Sequence, residues 1–200
     1  MINISTISIV RHGETDWNII GKLQGQTDIP LNQHGMEQAM YCGNFLKTEK
    51  WDVIITSPLK RAKQTAEIIN KCLNLPIVEM EEFVERGFGI AEGMEQEERL
   101  ERFPTGIIPD QEEMNSFENR VVTGIEKVRQ RYFQQKIVLI AHGAVINALL
   151  ANLSNGEIGT GKTEIVNASI SNIQYNETGW KIKEYNIISH LPLDEDFQFA

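Results

Sequence analysis

Short apolar runs that end in chemically capable residues constrain what this chain can fold into. Ile9-Val10 leads into Arg11-His12-Gly13, Val53-Ile54-Ile55-Thr56 into Ser57-Pro58-Leu59-Lys60-Arg61, and Val138-Leu139-Ile140-Ala141 into His142-Gly143. Runs this short and this apolar read as buried strands of a parallel sheet covered on both faces. In open α/β sheets, ligand sites gather outside the carboxyl ends of such strands. His12, His142, Arg11 and Arg61 are therefore expected to face one crevice. Two imidazoles and two guanidiniums together suit the holding of a dianion and attack on its phosphorus.

The rest of the chain alternates in the same way. Strands are expected at 4–10, 53–56, 76–80 and 137–141. Helices are expected at 35–48 behind an Asn32 cap, at 95–103, at 112–133 and at 144–153. Another opens at Ser57, a good N-cap followed by proline at the first helical position. It runs to about residue 73, with Ala62, Ala66, Ile69 and Leu73 at helical spacing. Segments 169–175 and 180–186 alternate around Thr178-Gly179 as a hairpin does. The reading is an α/β fold of three layers, a mostly parallel central sheet flanked by helices, with antiparallel pairing added by the last hairpin. One domain spans 1–200. Segment 94–119, with Phe103, Ile107, Ile108, Met114 and Phe117 among its charges, is a lid or cap over the leaving group with room for a carbon skeleton larger than glycerate.

The formal charge of −9 argues against a general nucleic-acid or anionic-membrane binder, because either needs a basic face. Cys42 and Cys72 stand alone in helix-like stretches and read as buried or partly buried thiols. The N-terminus lacks a basic region followed by a long apolar core, and no apolar stretch approaches a membrane span, so a cytoplasmic setting is expected. The acidic aromatic end, Asp194 to Phe199, reads as a loose surface tail. Nothing in the pattern bears on oligomeric state.

In phosphoryl transfer the demands are positioning and charge neutralisation. A neutral His12 imidazole can attack phosphorus, Arg11 and Arg61 can grip the non-bridging oxygens, and His142 can donate to them. Arg61 also falls in the first turn of its helix, where the dipole favours an anion. A departing alkoxide needs a proton. The acidic stretch Glu79, Glu81, Glu82 and Glu85 beside Gly87-Phe88-Gly89 offers candidates, and Glu85 is preferred to Glu82. Burial near the substrate's charge would raise its pKa toward what a general acid requires. Close metal-ligand spacing is missing, so no metal or other cofactor is called for.

A second motif competes: Gly156-Glu157-Ile158-Gly159-Thr160-Gly161-Lys162-Thr163 satisfies the phosphate-loop pattern of nucleotide triphosphatases. That loop needs a strand before it and a helix at its Lys-Thr. Here a helical pattern precedes it and strand-like alternation follows, so it reads as a flexible surface loop. His34 and His190 read as surface or packing residues, and Lys60 and Lys63 as a solvated helix face. Asn18 could also serve only an Asx-type turn.

Arg11-His12-Gly13-Glu14-Thr15 with Trp17-Asn18 resembles the signature of the histidine phosphatase superfamily, the phosphoglycerate mutase-like family. Leu23-Gln24-Gly25 with Asp28-Ile29-Pro30-Leu31, Ser57-Pro58-Leu59-Lys60-Arg61-Ala62-Lys63-Gln64-Thr65-Ala66, Glu85-Arg86-Gly87-Phe88-Gly89 and His142-Gly143 resemble its later blocks in order. The resemblance implies a phosphoglycerate mutase-like fold and a phosphorylated His12. It implies that Arg11, Arg61, Asn18 and His142 hold the phosphoryl group with Gly143 beside them, that Glu85 is the acid, and that Gln24 and Gly25 line the substrate side. The apolar Ala144-Val145-Ile146 after the second histidine departs from the mutase branch. So does Gly89-Ile90-Ala91-Glu92-Gly93, which lacks an aromatic residue before Glu-Gly. The chain is more similar to the small phosphatases of the family, including broad-specificity monoester and ribazole phosphatases. The expected activity is hydrolysis of a small-molecule phosphomonoester through phosphohistidine. A cofactor-dependent phosphoglycerate mutase and a non-catalytic module that binds phospho-ligands are the alternatives.

Overall fold

The computed structural model describes residues 5–192. In chain order it runs β1 (Ser5–Arg11), a single turn α1 (Asp16–Ile19), α2 (Gln33–Leu46), β2 (Val53–Thr56), α3 (Lys60–Leu73), β3 (Ile77–Glu79), α4 (Gln96–Arg102), α5 (Met114–Arg131), β4 (Lys136–Ala141), α6 (Gly143–Leu153) and the hairpin β5 (Ile170–Asn176) and β6 (Gly179–Ile187). The six strands form one sheet in the order β3-β2-β4-β1-β5-β6. The first four are mutually parallel, and β5 and β6 join antiparallel beyond β1.

The chain leaves β1 toward the β2 side and leaves β4 toward the β5 side. The carboxyl ends of these adjacent strands therefore bound the crevice where open α/β sheets bind ligands. Register does the rest. Arg11 pairs with Ala141 across the two strands, His12 N–H donates to the Ala141 carbonyl at 3.0 Å, and Ser57 N–H donates to the Ile140 carbonyl at 3.1 Å. Three neighbouring strands thus deliver His12, His142 and Ser57 in one row.

β1, β2 and β4 bury both faces, which is why their sequences are runs rather than alternations. Ile7, Ile9, Ile55, Ile137 and Leu139 pack with α5 and α6, while Val10, Ile54, Val138 and Ile140 pack with α2 and α3. Full burial of one such side chain contributes about 1.5–3 kcal/mol, so the strands that carry the site are anchored in the core on both faces.

Two sequence expectations need correction, and one short element was not expected. The helix expected from Ser57 begins at Lys60, with residue 59 still extended and no cap from its own side chain. The cap is tertiary: Asp28 accepts the Lys60 N–H at 2.6 Å, and Ser57 is left to face His142. Cys72 is exposed, whereas Cys42 is buried. The turn α1 is too short for periodicity to reveal. It is held by a capping box between Thr15 and Asn18. Ile4, where the first strand was expected to start, and the acidic tail lie outside the described residues.

Candidate active site

His12 is 3% exposed at the end of β1, and its Nδ1 lies 2.7 Å from the Gly13 carbonyl. A carbonyl can only accept, so Nδ1 carries the proton and Nε2 keeps its lone pair. Burial pushes the His12 pKa well below the ordinary imidazole range, and Arg61 and Arg11 push the same way. The ring is therefore neutral near pH 7, as a nucleophile must be. Its loop is tied down from three sides: Thr65 Oγ1 takes the Gly13 N–H, Gln38 Oε1 takes the Glu14 N–H, and Asn167 Nδ2 donates to the His12 carbonyl. Glycine is required at position 13, because a Cβ there would stand 2.3 Å from the Gly35 carbonyl oxygen.

Two guanidiniums flank this ring. Arg61, 1% exposed, donates Nη1 to the Thr27 carbonyl at 2.9 Å and Nη2 to the Gly25 carbonyl at 2.7 Å. Burial lowers its pKa to about 10, which leaves it cationic. Arg11 donates Nη1 to the Ile165 carbonyl. Loop carbonyls thus aim both forks, and the Nε atoms of both arginines are buried without a partner among the described residues. Gly25 supplies one of those carbonyls from a backbone at φ +54, and a Cβ there would collide with the Glu92 carboxylate at 2.1 Å.

His142 is fully buried, its ring centroid 5.2 Å from that of His12. Its Nε2 lies 2.8 Å from Ser57 Oγ, which also accepts the Leu59 N–H at 3.3 Å. Its Nδ1 has no partner among the described residues, and burial followed by the charge of Arg61 holds the ring neutral. Asn18 uses its amide oxygen locally, accepting from Thr15 N–H, Thr15 Oγ1 and Asn167 Nδ2, so the turn reading holds for that half of the side chain.

Glu85, 9% exposed, is anchored from both sides: Oε1 accepts the Arg86 N–H at 2.9 Å, and Oε2 accepts the Ala144 N–H of the α6 N-terminus at 3.2 Å. Desolvation raises its pKa despite these bonds and the two arginines. Glu82 instead pairs at the surface with Lys127 at 2.5 Å. Gln24 is 8% exposed with Oε1 lacking a partner among the described residues. Gly143 opens α6, close enough to Arg11 that a Cβ there would sit 3.7 Å from its Nε. Glu92 ties the two loops of the mouth together, accepting from Gln26 N–H, Thr27 N–H and Oγ1, and Phe88 N–H.

Sequence reasoning missed Ser57 as the partner of His142, and Thr65 and Asn167 as supports of the His12 loop. Asn167 stands just before a recognisable strand, where an Asn reads as turn chemistry. Lys60 and Lys63 pair with Asp28 and Glu79 on the exposed helix face. His190 packs inside, its Nε2 3.2 Å from Cys42 Sγ and 3.0 Å from the Ala168 carbonyl.

The competing motif has the wrong surroundings for a phosphate loop. It follows α6, Lys162 Nζ donates to the Gly156 carbonyl, and Thr163 Oγ1 accepts the Gly159 N–H, so no helix opens at Lys162-Thr163. Among the described residues no group of three or more His, Cys, Asp or Glu side chains is arranged to hold a metal ion. No helix among them is long and apolar enough to cross a membrane. Cavities of about 700 Å³ open beside Trp51 and Lys183 and beside Met80 and Tyr132, and neither reaches His12. The site is located by its chemistry, not by cavity size.

Residues 7–188 match the family described as the histidine phosphatase superfamily (branch 1). The chain belongs to the histidine phosphatase superfamily. It is 52% identical over 188 residues to a protein of Bacillus subtilis named as the uncharacterized phosphatase PhoE, covering 94% of this chain and 97% of that one. Bacillus stearothermophilus YhfR shares its fold, with a TM-score of 0.88 at 24% identity over 94% of this chain and all of that one. A mutant phosphoserine phosphatase of Entamoeba histolytica, solved with phosphoserine, superposes with a TM-score of 0.82 at 27% identity over the same shares. This chain is thus a phosphatase of a superfamily in which phosphohistidine chemistry is typical.

Proposed function

We propose that this phosphatase hydrolyses small-molecule phosphomonoesters through His12 in two displacements. In the first, the Nε2 lone pair of His12 forms a bond to phosphorus as the ester P–O bond breaks, and Glu85 gives its proton to the departing oxygen, releasing the alcohol. In the second, water attacks the phosphohistidine, Glu85 takes the proton from that water, and the P–N bond breaks to release phosphate. Arg11, Arg61, the amide nitrogen of Asn18 and His142 Nδ1 hold the non-bridging oxygens. With the Ser57 hydroxyl donating to His142 Nε2, the ring proton sits on Nδ1, which is then the donor to phosphate.

The observation that carries this reading is the lock of His12 Nδ1 on the Gly13 carbonyl, which leaves the Nε2 lone pair free in a ring that Arg61 and Arg11 help to keep neutral. Gln24 and Gly25 belong to the substrate side. Segment 94–119 would serve as a lid. It reaches the mouth through Ile90 N–H to the Pro109 carbonyl and Glu112 N–H to the Gly87 carbonyl, with Ile107 77% exposed. Amino-acid and sugar-acid phosphates are the class to test first, since related structures hold phosphoserine and 3-phosphoglyceric acid. The free thiols of Cys42 and Cys72 suit the reducing cytoplasm.

The test is phosphate release from 4-nitrophenyl phosphate, phosphoserine, 3-phosphoglycerate and ribazole phosphate, for wild type and His12→Ala, in chelator. Release that survives in His12→Ala would sink the proposal. A wild type that isomerises phosphoglycerates without releasing phosphate would make it a mutase.

A further inference from the structure

The segment that carries Glu85 has little regular structure. After β3 there is one 3-10 turn at Glu81–Phe83, and then irregular chain to residue 88. Its carbonyls have no strand or helix to answer them, yet a side chain in such a segment is where the proposed proton transfer must be placed within tenths of an ångström. Arg120, two turns into α5, supplies the missing donors. Nη1 donates to the carbonyls of Glu82 at 3.0 Å and Val84 at 2.6 Å, and Nη2 donates to that of Glu85 at 3.0 Å. The remaining two N–H groups go to Glu112, Nε to Oε1 at 2.7 Å and Nη2 to Oε2 at 2.9 Å. All five guanidinium donors are committed.

Glu112 holds the other side of Glu85. Its Oε2 accepts the Gly87 N–H at 3.1 Å, its own N–H donates to the Gly87 carbonyl at 2.9 Å, and its carbonyl accepts Nε and Nη2 of Arg86 at 3.1 and 3.0 Å. The pair is largely shielded, with side chains 23% and 21% exposed. It therefore brackets Glu85 from residue 82 to residue 87, and neither member is within the phosphoryl-binding set. We propose that Arg120, held by Glu112, is a positioning residue for the proton donor, and that it sets how strongly the rate depends on the leaving alcohol. This deepens the function proposed above and rests on Glu85 being the acid.

A positioning role and a merely structural one differ in their leaving-group dependence. An aryl phosphate such as 4-nitrophenyl phosphate departs without a proton, whereas an alkyl phosphate needs one. The experiment compares kcat/KM, which reports the first displacement, across phosphomonoesters whose alcohols run from nitrophenol to simple alkanols. The proteins are wild type, Arg120→Met, Glu112→Gln and Glu85→Gln. Arg120→Met should lose about 10- to 100-fold on alkyl esters and no more than about threefold on the aryl ester. Glu112→Gln should follow in the same direction, and Glu85→Gln should be steeper than either. Turnover of the aryl ester needs His12 and a folded site, so it also certifies each variant. Should Arg120→Met fail to fold, Arg120→Lys, which keeps one cation but loses the fork, is read in its place and should show the same slope. Equal losses at both ends of the series, or none, alongside a steep Glu85→Gln, would overturn the role of Arg120 while leaving the acid in place. A Glu85→Gln that shows no leaving-group dependence would overturn the acid assignment, and this inference with it.

Discussion

The two sides of this site are built by different means. On the phosphoryl side, His12 and His142 sit at the ends of adjacent parallel strands, and Arg61 is 1% exposed against two loop carbonyls. On the leaving-group side, Glu85 rides on irregular chain held by side chains from elsewhere, chiefly Glu112 and Arg120, while Glu92 secures the neighbouring loops. The first arrangement inherits its precision from the sheet and its core. The second depends on polar contacts between segments far apart in sequence. In the proposed mechanism the phosphoryl group, which every monoester shares, meets the side built on the sheet, and the alcohol, which differs, meets the side built on loops.

The comparison can be broken most sharply at the nucleophile. His12→Ala should lose about 10⁴-fold or more on every ester alike in phosphate-release assays, and a loss confined to alkyl esters would mean that the two sides are not separable. Arg61→Ala should lower kcat/KM by about 10²- to 10³-fold, again uniformly across leaving groups, since it removes charge from the transferring oxygens and strands the carbonyls of Gly25 and Thr27. A loss that varied with the alcohol would move Arg61 to the other side of the division.

pH separates the two sides next. The lowered pKa of His12 keeps the nucleophile neutral well into mild acid, so the acid limb of kcat/KM should fall below the ordinary 6.5 for every substrate. The raised pKa of Glu85 puts loss of the proton donor above the ordinary 4.5, on the alkaline side, and that limb should appear for alkyl esters and flatten for aryl esters. The same shift has a thermodynamic sign. A folded-state pKa above the unfolded value means that the native protein binds the proton more tightly, so Glu85 costs stability as pH rises from about 4.5 through its folded value. Glu85→Gln turns an amide NH2 toward one of two backbone N–H donors at every pH, so the readout is the pH slope: relative to wild type the variant should be more stable, by melting temperature, at pH 7 than at pH 4, and an unchanged difference between the two pH values would contradict the desolvation of that carboxyl.

Smaller effects sharpen the picture at the mouth. Replacing Ile107 and Ile108 with serine should shift KM ratios among substrates by a few-fold, on the scale of about 1 kcal/mol for lost apolar contact, with little change for the aryl ester. An unchanged ranking would remove the lid. Chelator should change the rate less than about twofold, because two guanidiniums already carry the charge that a metal would supply. A loss restored by divalent metal would count against the mechanism.

Much of this was legible in the chain. Apolar runs of strand length, the helical spacing of Ala62, Ala66 and Ile69, and the alternation of the last hairpin specify element type because a strand repeats every two residues and a helix every 3.6. Arg11, His12 and His142 at the strand ends, and Arg61 in the helix turn that follows β2, follow from those runs and the rule that sites collect at carboxyl ends. Sequence spacing does not encode which distant carbonyl answers which donor. The insertion of β4 between β1 and β2, the capping of α3 by Asp28 instead of Ser57, the carbonyls of Gly25, Thr27 and Ile165 that aim the arginines, and the grip of Arg120 on the Glu85 segment were decided by tertiary structure alone. Periodicity is a local property of the chain. Satisfying buried polar groups is settled only when segments far apart in sequence are brought within about 3 Å of one another.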